Sequence, residues 1–505
     1  MERETKSVEN KKSSVFREVY PLFEPYVYAA IVREPTTQKI RYEIIEPTLL
    51  KEEENQLNEV KNLLMEEVDI SLKDLETREK AEEYLKGKVR EIIKDYRIKI
   101  AEEAIDKLLY YVLRDFIGYG KIDPLMKDHL IEDVSADGVN IPVYVWHREY
   151  ESLPTNIIYR DADELNSFIL RLAYLAGKHI SIATPMLDAT LPDGSRVQLT
   201  YGTEVTRRGS TFTVRRFRVD PLTISDLISF NTLSSDMAAY LWYAIENRAS
   251  ILVAGGVAAG KTTTLNCLSM FIKPEMKVVS VEDTAELNLP HENWIPSVVR
   301  TGVGFEERGA GSITLFDLLK AAVRQRPDYI IVGEVRGEEA YTLFQAIATG
   351  HLGLSTIHAE SVDTVLRRLE SEPMNIPRFL LTMIDAVMVQ LRTEVGGRPA
   401  RRALTVTEVV DLDPNTKEVL TNEVYRWDAK HDVFSHSGRS WILERNMKRM
   451  GLDENEVQEE LLRRKTVLEW MVKNKVRRYT EVADVIRKYY AEPARVYRMA
   501  RLGMS

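Results

Sequence analysis

Ile251-Leu252-Val253-Ala254-Gly255-Gly256-Val257-Ala258-Ala259-Gly260-Lys261-Thr262-Thr263 decides the fold. A short apolar run of β character ends in a turn that fits G-x-x-x-x-G-K-[ST], and TTTLNCLSM after it reads as a helix. That order lets the backbone N–H groups from Gly255 to Thr263 wrap around a phosphate, and the helix N-terminus adds a favourable dipole. Lys261 is placed to reach β- and γ-phosphates, and the hydroxyl of Thr262 to ligate Mg²⁺.

Three further segments extend the pattern. Arg326-Pro-Asp-Tyr-Ile-Ile-Val-Gly-Glu334-Val-Arg336 is an apolar strand ending in a carboxylate, which can hold Mg²⁺ through water or orient an attacking water. Val279-Ser-Val-Glu282-Asp283-Thr-Ala-Glu286 is a strand ending in three close acids, one of which can position a nucleophile for phosphoryl transfer. Thr349-Gly-His351-Leu-Gly-Leu-Ser-Thr-Ile-His358-Ala359 sets two histidines beside a strand with no other metal ligand near in sequence. They read as sensors of the γ-phosphate rather than as metal ligands.

The apolar runs Ile251–Ala254, Val278–Val281, Tyr329–Val332 and Ser355–Ile357 alternate with helical patterns, which predicts an α/β domain with a mostly parallel sheet. Ser234 or Ser235 offers an N-cap for a helix carrying Met237, Leu241 and Ile245. Upstream, residues 1–14 form a polar lead. Strand-like runs at Tyr26–Val32 and Ile40–Ile45 flank a turn at Pro35–Gln38, and a Glu/Lys/Leu-rich helical stretch follows from Leu49 to Arg97. Ile105, Leu108, Leu109, Val112 and Phe116 continue a helical face. Asp193-Gly194 between ATL and RVQLTYG is a hairpin signal. The expected division is a variable N-terminal region at 1–95, an α+β domain at 96–217, a linker at 218–232, an α/β core at 233–440 and a helical, basic extension at 441–505.

Of 505 residues, 44% are hydrophobic and 29% charged, enough for sizeable cores. The formal charge of −9, from 78 acids and 69 bases, argues against nonspecific nucleic-acid binding by the whole chain. From Arg463 onward, 12 Lys and Arg stand against 4 Asp and Glu, a basic end on an acidic body. One cysteine, Cys267, excludes an intramolecular disulfide and a tetracysteine zinc site. No apolar run reaches the roughly 18 residues of a membrane span, and the first 14 residues do not read as a signal peptide. A cytoplasmic, multidomain protein is expected.

Taken in order, the glycine loop, EDTAE, RQRPDYIIVGEVRG and TGHLGLSTIHAES resemble the type II/type IV secretion ATPase superfamily, which names them Walker A, Asp box, Walker B and His box. The resemblance runs from Gly118 to Val410, and RQRPDYIIVGEVRGEEA with PHENWIPSVVR looks most like the archaeal branch, which powers archaella, archaeal type IV pili and related secretion machines. It implies a RecA-like C-terminal P-loop ATPase domain, a smaller α+β N-terminal domain with helical extensions, ATP and Mg²⁺ as cofactors, and a homohexamer with nucleotide between the two domains.

Carried over residue by residue, Lys261 and Thr262 match the phosphate and Mg²⁺ ligands. Glu282 matches the water-positioning glutamate, with Glu286 as alternative; Glu334 matches the Walker B glutamate, and His351 and His358 the His box. Metal-ligand candidates are Thr262, Glu334 and Glu282. The family also brings N-terminal-domain arginines to the γ-phosphate. Candidates are Arg196, then Arg207, Arg208, Arg215, Arg216 and Arg218, and adjacent Arg215 and Arg216 must face opposite sides of their strand. The aspartate of the bacterial GE-x-R-D tail is Gly337 here, and EDP becomes EDT, both as in the archaeal branch.

The resemblance thus implies a hexameric ATP-hydrolysing motor acting on a polytopic membrane platform protein, peripherally associated with the inner face of the cell membrane. No direct nucleic acid is expected. The alternative is a nucleic-acid-dependent translocating ATPase, supported by the basic tail alone.

Overall fold

The computed structural model describes residues 15–34, 37–67, 77–217, 220–300 and 311–504. The polar lead at 1–14, Pro35 and Thr36 of the expected turn, and Arg218 lie outside the described residues. Contacts divide the chain into two units, 1–217 and 218–505.

Among its described residues the first unit holds nine strands: β1 (Val15–Phe23), β2 (Val27–Arg33), β3 (Ile40–Ile45), β4 (Ile131–Ala136), β5 (Pro142–His147), β6 (Glu151–Ile158), β7 (Met186–Thr190), β8 (Arg196–Thr200) and β9 (Thr211–Arg215). They form one sheet in the order β1-β2-β3-β6-β5-β4-β9-β8-β7. The strand pair expected in a separate N-terminal region is therefore an edge of this sheet, joined through the parallel pair Tyr42↔Thr155. A buried carboxylate holds that junction, for Tyr20 and Tyr42 donate to Asp128 Oδ2 at 2.6 and 2.7 Å. No hydrophobic pattern announces such a long-range pairing. Helices Lys51–Glu67, Arg78–Asp95 and Glu102–Phe116 bury Val60, Leu64, Leu85, Val89, Leu108 and Val112 in a core of their own. The Asp-Gly hairpin forms as its sequence demands, with Thr190↔Arg196 closing β7 on β8.

The second unit's sheet contains β10 (Ile251–Gly255), β11 (Val278–Glu282), β12 (Trp294–Val298), β13 (Tyr329–Val332), β14 (Leu352–His358), β15 (Ala386–Val395), β16 (Arg398–Leu412), β17 (Val419–Asp428) and β18 (Val433–His436). Its order is β12-β11-β13-β14-β10-β15-β16-β17-β18. The strands from β12 to β15 are parallel and those from β15 to β18 antiparallel. Helices cover both faces, so β10, β11 and β13 are buried along their whole length and read as continuous apolar runs rather than alternating ones. Ser234 caps the helix Ser235–Glu246 by accepting from the N–H of Met237 at 3.1 Å.

The C-terminal helices are part of this unit's core. Val482, Ile486 and Tyr489 are buried against it, and Trp242 stacks on Phe271 and packs on Tyr489 at 4.9 Å. Arg464, 3% exposed, binds Glu246 and donates to Glu460 at 2.9 Å beneath the Trp242 ring. Part of the tail's positive charge is thus neutralised by acids of the body, with Lys465 paired to Asp236 at 2.9 Å as well.

Removing one partner of a buried ion pair leaves the others uncompensated, at about 3–5 kcal/mol. We expect Arg464→Ala to release helices 235–246 and 454–473 together, raising their amide hydrogen-exchange rates by about a hundredfold or more. Unchanged protection would show that Arg464 does not fasten the tail.

Candidate nucleotide site

β10 is gripped on both sides. Its last residue, Gly255, stands opposite His358 of β14 and Gln390 of β15. A Cβ on Gly255 would lie 2.7 Å from the carbonyl oxygen of Gln390, so the two strands close up at this level only over a glycine. Gln390 also donates through Nε2 to Thr264 Oγ1 at 2.7 Å, fastening the helix Lys261–Ser269 to the sheet. Between strand and helix, Val257 and Ala258 form the exposed tip of the loop, Ala259 is buried, and Gly256, Gly260, Thr262 and Thr263 are half-buried.

Lys261 Nζ donates to the carbonyl of Gly256 at 3.0 Å, across the mouth of the loop. Desolvation lowers its pKa, and the carboxylates of Glu334 and Glu286 oppose that shift. Glu334 follows β13 by two residues and is half-buried.

Glu282 closes β11 and is 2% exposed. Its Oε1 accepts the N–H groups of Glu286 and Leu287, each at 3.0 Å, which orients the carboxylate and shapes the turn after it. A Cβ on Gly333 would lie 3.3 Å from Glu282 Cγ, so the stem of this side chain packs directly against the turn that carries Glu334. Burial pushes the Glu282 pKa up to about 7; the two N–H bonds pull it down and the Glu286 charge adds to the rise.

Two neighbours brace the same edge. Arg336 pairs with Asp283 at 2.8 Å. Buried Glu339 accepts the N–H groups of Arg336 and Gly337, both at 2.7 Å, and a Cβ on Gly337 would meet its Oε2 at 2.9 Å. A glycine at 337, with the carboxylate supplied two residues later, is what this turn requires.

β14 carries the two histidines to opposite ends of the sheet. His358 ends it beside Gly255. His351 precedes its first residue, about 20 Å away along the strand, with Nδ1 hydrogen-bonded at 3.1 Å to the Ala346 carbonyl at the end of helix Glu339–Ala348. Within one chain, only His358 is brought to the P-loop edge.

Of the candidate arginines, Arg196, Arg207, Arg208, Arg215 and Arg216 belong to the first unit, and Arg218 lies outside the described residues. Arg196 and Arg215 stand directly opposite each other on β8 and β9, both exposed, 3.9 Å from Asp188 and 3.7 Å from Asp133. Arg216, next in the chain, donates to the carbonyls of Asp128 and Ile131, and desolvation lowers its pKa. Among the described residues no three His, Cys, Asp or Glu converge as a protein metal cage would. Mg²⁺ asks for none, since it is bound through one or two carboxylates, waters and substrate phosphates. No motif pointed to Gln390 or Arg401, the latter of which donates to the loop at Ala258, and Glu339, though inside the RQRPDYIIVGEVRGEEA run, was given no role; each is set in place by strand register or a turn.

The profile of the family described as Type II/IV secretion system protein matches residues 119–445. An uncharacterized protein of Methanocaldococcus jannaschii is 37% identical over 497 residues, spanning 94% of this chain and 88% of its own. The type IV secretion system protein PtlH of Bordetella pertussis is 29% identical over 320 residues, 56% of this chain and 90% of its own. Among solved structures, the Legionella pneumophila ATPase DotB aligns with a TM-score of 0.41 and 17% identity over 74% of this chain and 92% of that one.

With its folded pKa raised from 4.5 to about 7, Glu282 contributes stability that is fully present below about pH 4.5 and lost as pH rises through about 7. Glu282→Gln has no such titration. Above pH 7 the variant should protect β11 and β13 from amide exchange better than the parent, by up to about 3 kcal/mol, and the gap should close in acid. Equal protection on both sides of pH 7 would remove the burial of an ionisable carboxylate there.

Proposed function

Because the chain belongs to the type II/IV secretion system protein family, we propose that it is a Mg²⁺-dependent ATPase motor, acting as a homohexamer on an archaellum-, type IV pilus- or secretion-like machine. The observation that carries this reading is the meeting of Lys261, Glu282, Glu334 and His358 at the C-terminal ends of β10, β11, β13 and β14. In open α/β sheets that edge is where ligands bind. The Methanocaldococcus relative, similar over nearly the whole chain, supports the archaeal branch.

In this reading the loop amides of 255–263 hold the β-phosphate, and Lys261 reaches the β- and γ-phosphates. Thr262 and Glu334 fit the Mg²⁺, which when bound neutralises charge developing on the phosphoryl oxygens. Glu282, poised near neutrality, fits the role of base better than that of metal ligand: it takes a proton from the water whose oxygen bonds to the γ-phosphorus, and the bond to the β-phosphate oxygen breaks to give ADP and phosphate. His358 is the candidate γ-phosphate sensor. Arg196 and Arg215 are the proposed cationic partners of that phosphate, and Arg216 is assigned to its strand. The motor is proposed to be cytoplasmic and to work peripherally at the inner face of the membrane against a polytopic platform protein. No helix among the described residues is long and apolar enough to cross a membrane.

Lys261→Ala should lower steady-state ATP turnover by roughly a hundredfold or more, with the circular dichroism of the parent. Glu334→Gln should still bind ATP while turnover collapses to a similar extent. Turnover near the parent's in Lys261→Ala would defeat the nucleotide-loop assignment, and loss of ATP binding in Glu334→Gln would make that residue structural.

The arginines separate by readout. Arg196→Ala and Arg215→Ala should each lose most turnover while ADP affinity stays within about twofold, because ADP lacks the group they touch. Arg216→Ala should instead loosen β4 and β9, seen as faster amide exchange there. Parent turnover in both Arg196→Ala and Arg215→Ala would remove them from the site.

A further inference from the structure

One residue of the nucleotide loop does not suit its backbone. Ala258 has φ +57°, a left-handed conformation that a side chain bearing a Cβ disfavours by roughly tenfold in population, whereas glycine enters it freely. Something outside the loop must hold it there, and the hairpin of β15 and β16 supplies a candidate.

This hairpin is fixed beside the loop by the β10–β15 ladder, which ends at Gly255↔Gln390. Arg401 stands on β16 opposite Arg392. Its neighbour Arg402 is buried on the other face, forked onto Asp432 at 2.6 and 2.8 Å and donating to the Phe230 carbonyl at 3.1 Å. Strand alternation therefore turns Arg401 toward the loop. There its Nε donates to the carbonyl of Ala258 at 3.2 Å, and its Cδ lies 3.6 Å from where a Cβ on Gly260 would be. The stem crosses both left-handed residues, since Gly260 has φ +92°.

We propose that Arg401 is a positioning residue that braces the nucleotide loop in the conformation its own sequence resists. A charged donor on the Ala258 carbonyl offsets the left-handed penalty, so the amides that would cradle a phosphate are already set before nucleotide arrives. Arg401 acts through the loop and not on the γ-phosphate. ATP and ADP share the phosphate that the loop holds, so losing the brace weakens both equally and leaves the saturated turnover close to the parent's.

This rests on reading 255–262 as a nucleotide loop, and the test separates the two claims. The full chain with Mg²⁺ is titrated calorimetrically with ADP and with a non-hydrolysable ATP analogue. No binding by the parent defeats the nucleotide reading itself. If the parent binds, Arg401→Ala should weaken both ligands by roughly fivefold to tenfold with their ratio unchanged. Ala258→Gly in that same variant should bring both back to within about twofold, because glycine needs no brace. Arg401→Met, which keeps an unbranched stem but has no donor, should behave as Arg401→Ala and serves should the alanine variant fail to fold. Three results overturn the proposal: affinities equal to the parent's, a loss confined to the ATP analogue, or a loss that Ala258→Gly does not recover, the last meaning that Arg401 touches the nucleotide itself.

Discussion

The close approach of β10 and β15 over Gly255 is the constraint on which the second unit's site depends. With 2.7 Å between a would-be Cβ and the Gln390 carbonyl, any other residue would push the strands apart where the loop begins. The same residue is in register with His358 on its other side. From there Val332↔Ser355 carries β13 and Val281↔Val332 carries β11 to a common edge. The distances among Lys261, Glu334 and Glu282 are thereby set by backbone ladders in a buried sheet, and only the short turns beyond the strands are left to local choice.

That geometry has an electrostatic consequence. The edge gathers an ammonium and carboxylates where water is partly excluded, and burial moves their pKa values in opposite senses: Lys261 down, Glu282 up to about 7. A tenfold change in a protonation equilibrium corresponds to about 1.4 kcal/mol, so with both groups ionised this edge is less stable than the same charges would be in water. Sites that do proton chemistry accept such a penalty. The Glu282 carboxylate is not left unsupported, for the N–H groups of Glu286 and Leu287 meet one oxygen and limit the rise.

How much of this was legible in the sequence follows from the range of the interactions. The loop, the four apolar strands and the helix cap at Ser234 are local patterns, and the chain spells them out. The strand pair at the N-terminus was legible as strands but not as a partner of β6, because Tyr42↔Thr155 joins residues far apart in the chain around a buried Asp128. The two histidines looked equivalent in one motif, yet a strand of that length must put its ends on opposite edges of a sheet, so one motif serves two places. The antiparallel extension from β15 to β18 carried no motif, and with it went Gln390 and Arg401. The basic tail read as a helical extension because charge counts do not reveal that Arg464 is buried on Glu246 and Glu460.

The two units solve one problem in the same way. Each has an Arg-Arg pair on or at the end of a strand, 215–216 in the first and 401–402 in the second, and the pleat sends the two side chains of each pair to opposite faces. In each pair one guanidinium is an anchor. Arg216 closes on the carbonyls of Asp128 and Ile131, and Arg402 on Asp432 and the Phe230 carbonyl. The anchored arginine fixes the backbone at that point, and the fixed backbone fixes the direction of its neighbour. Arg215 is thereby held on the exposed face opposite Arg196, and Arg401 over Ala258. A lone arginine on either strand would have to hold its direction against the rotamer freedom of a long, solvated side chain. Which member of a pair anchors cannot be read from the dipeptide, since alternation says only that the two differ. The decision belongs to the neighbouring segments, through the carbonyls and carboxylates they leave for a fork of donors to find.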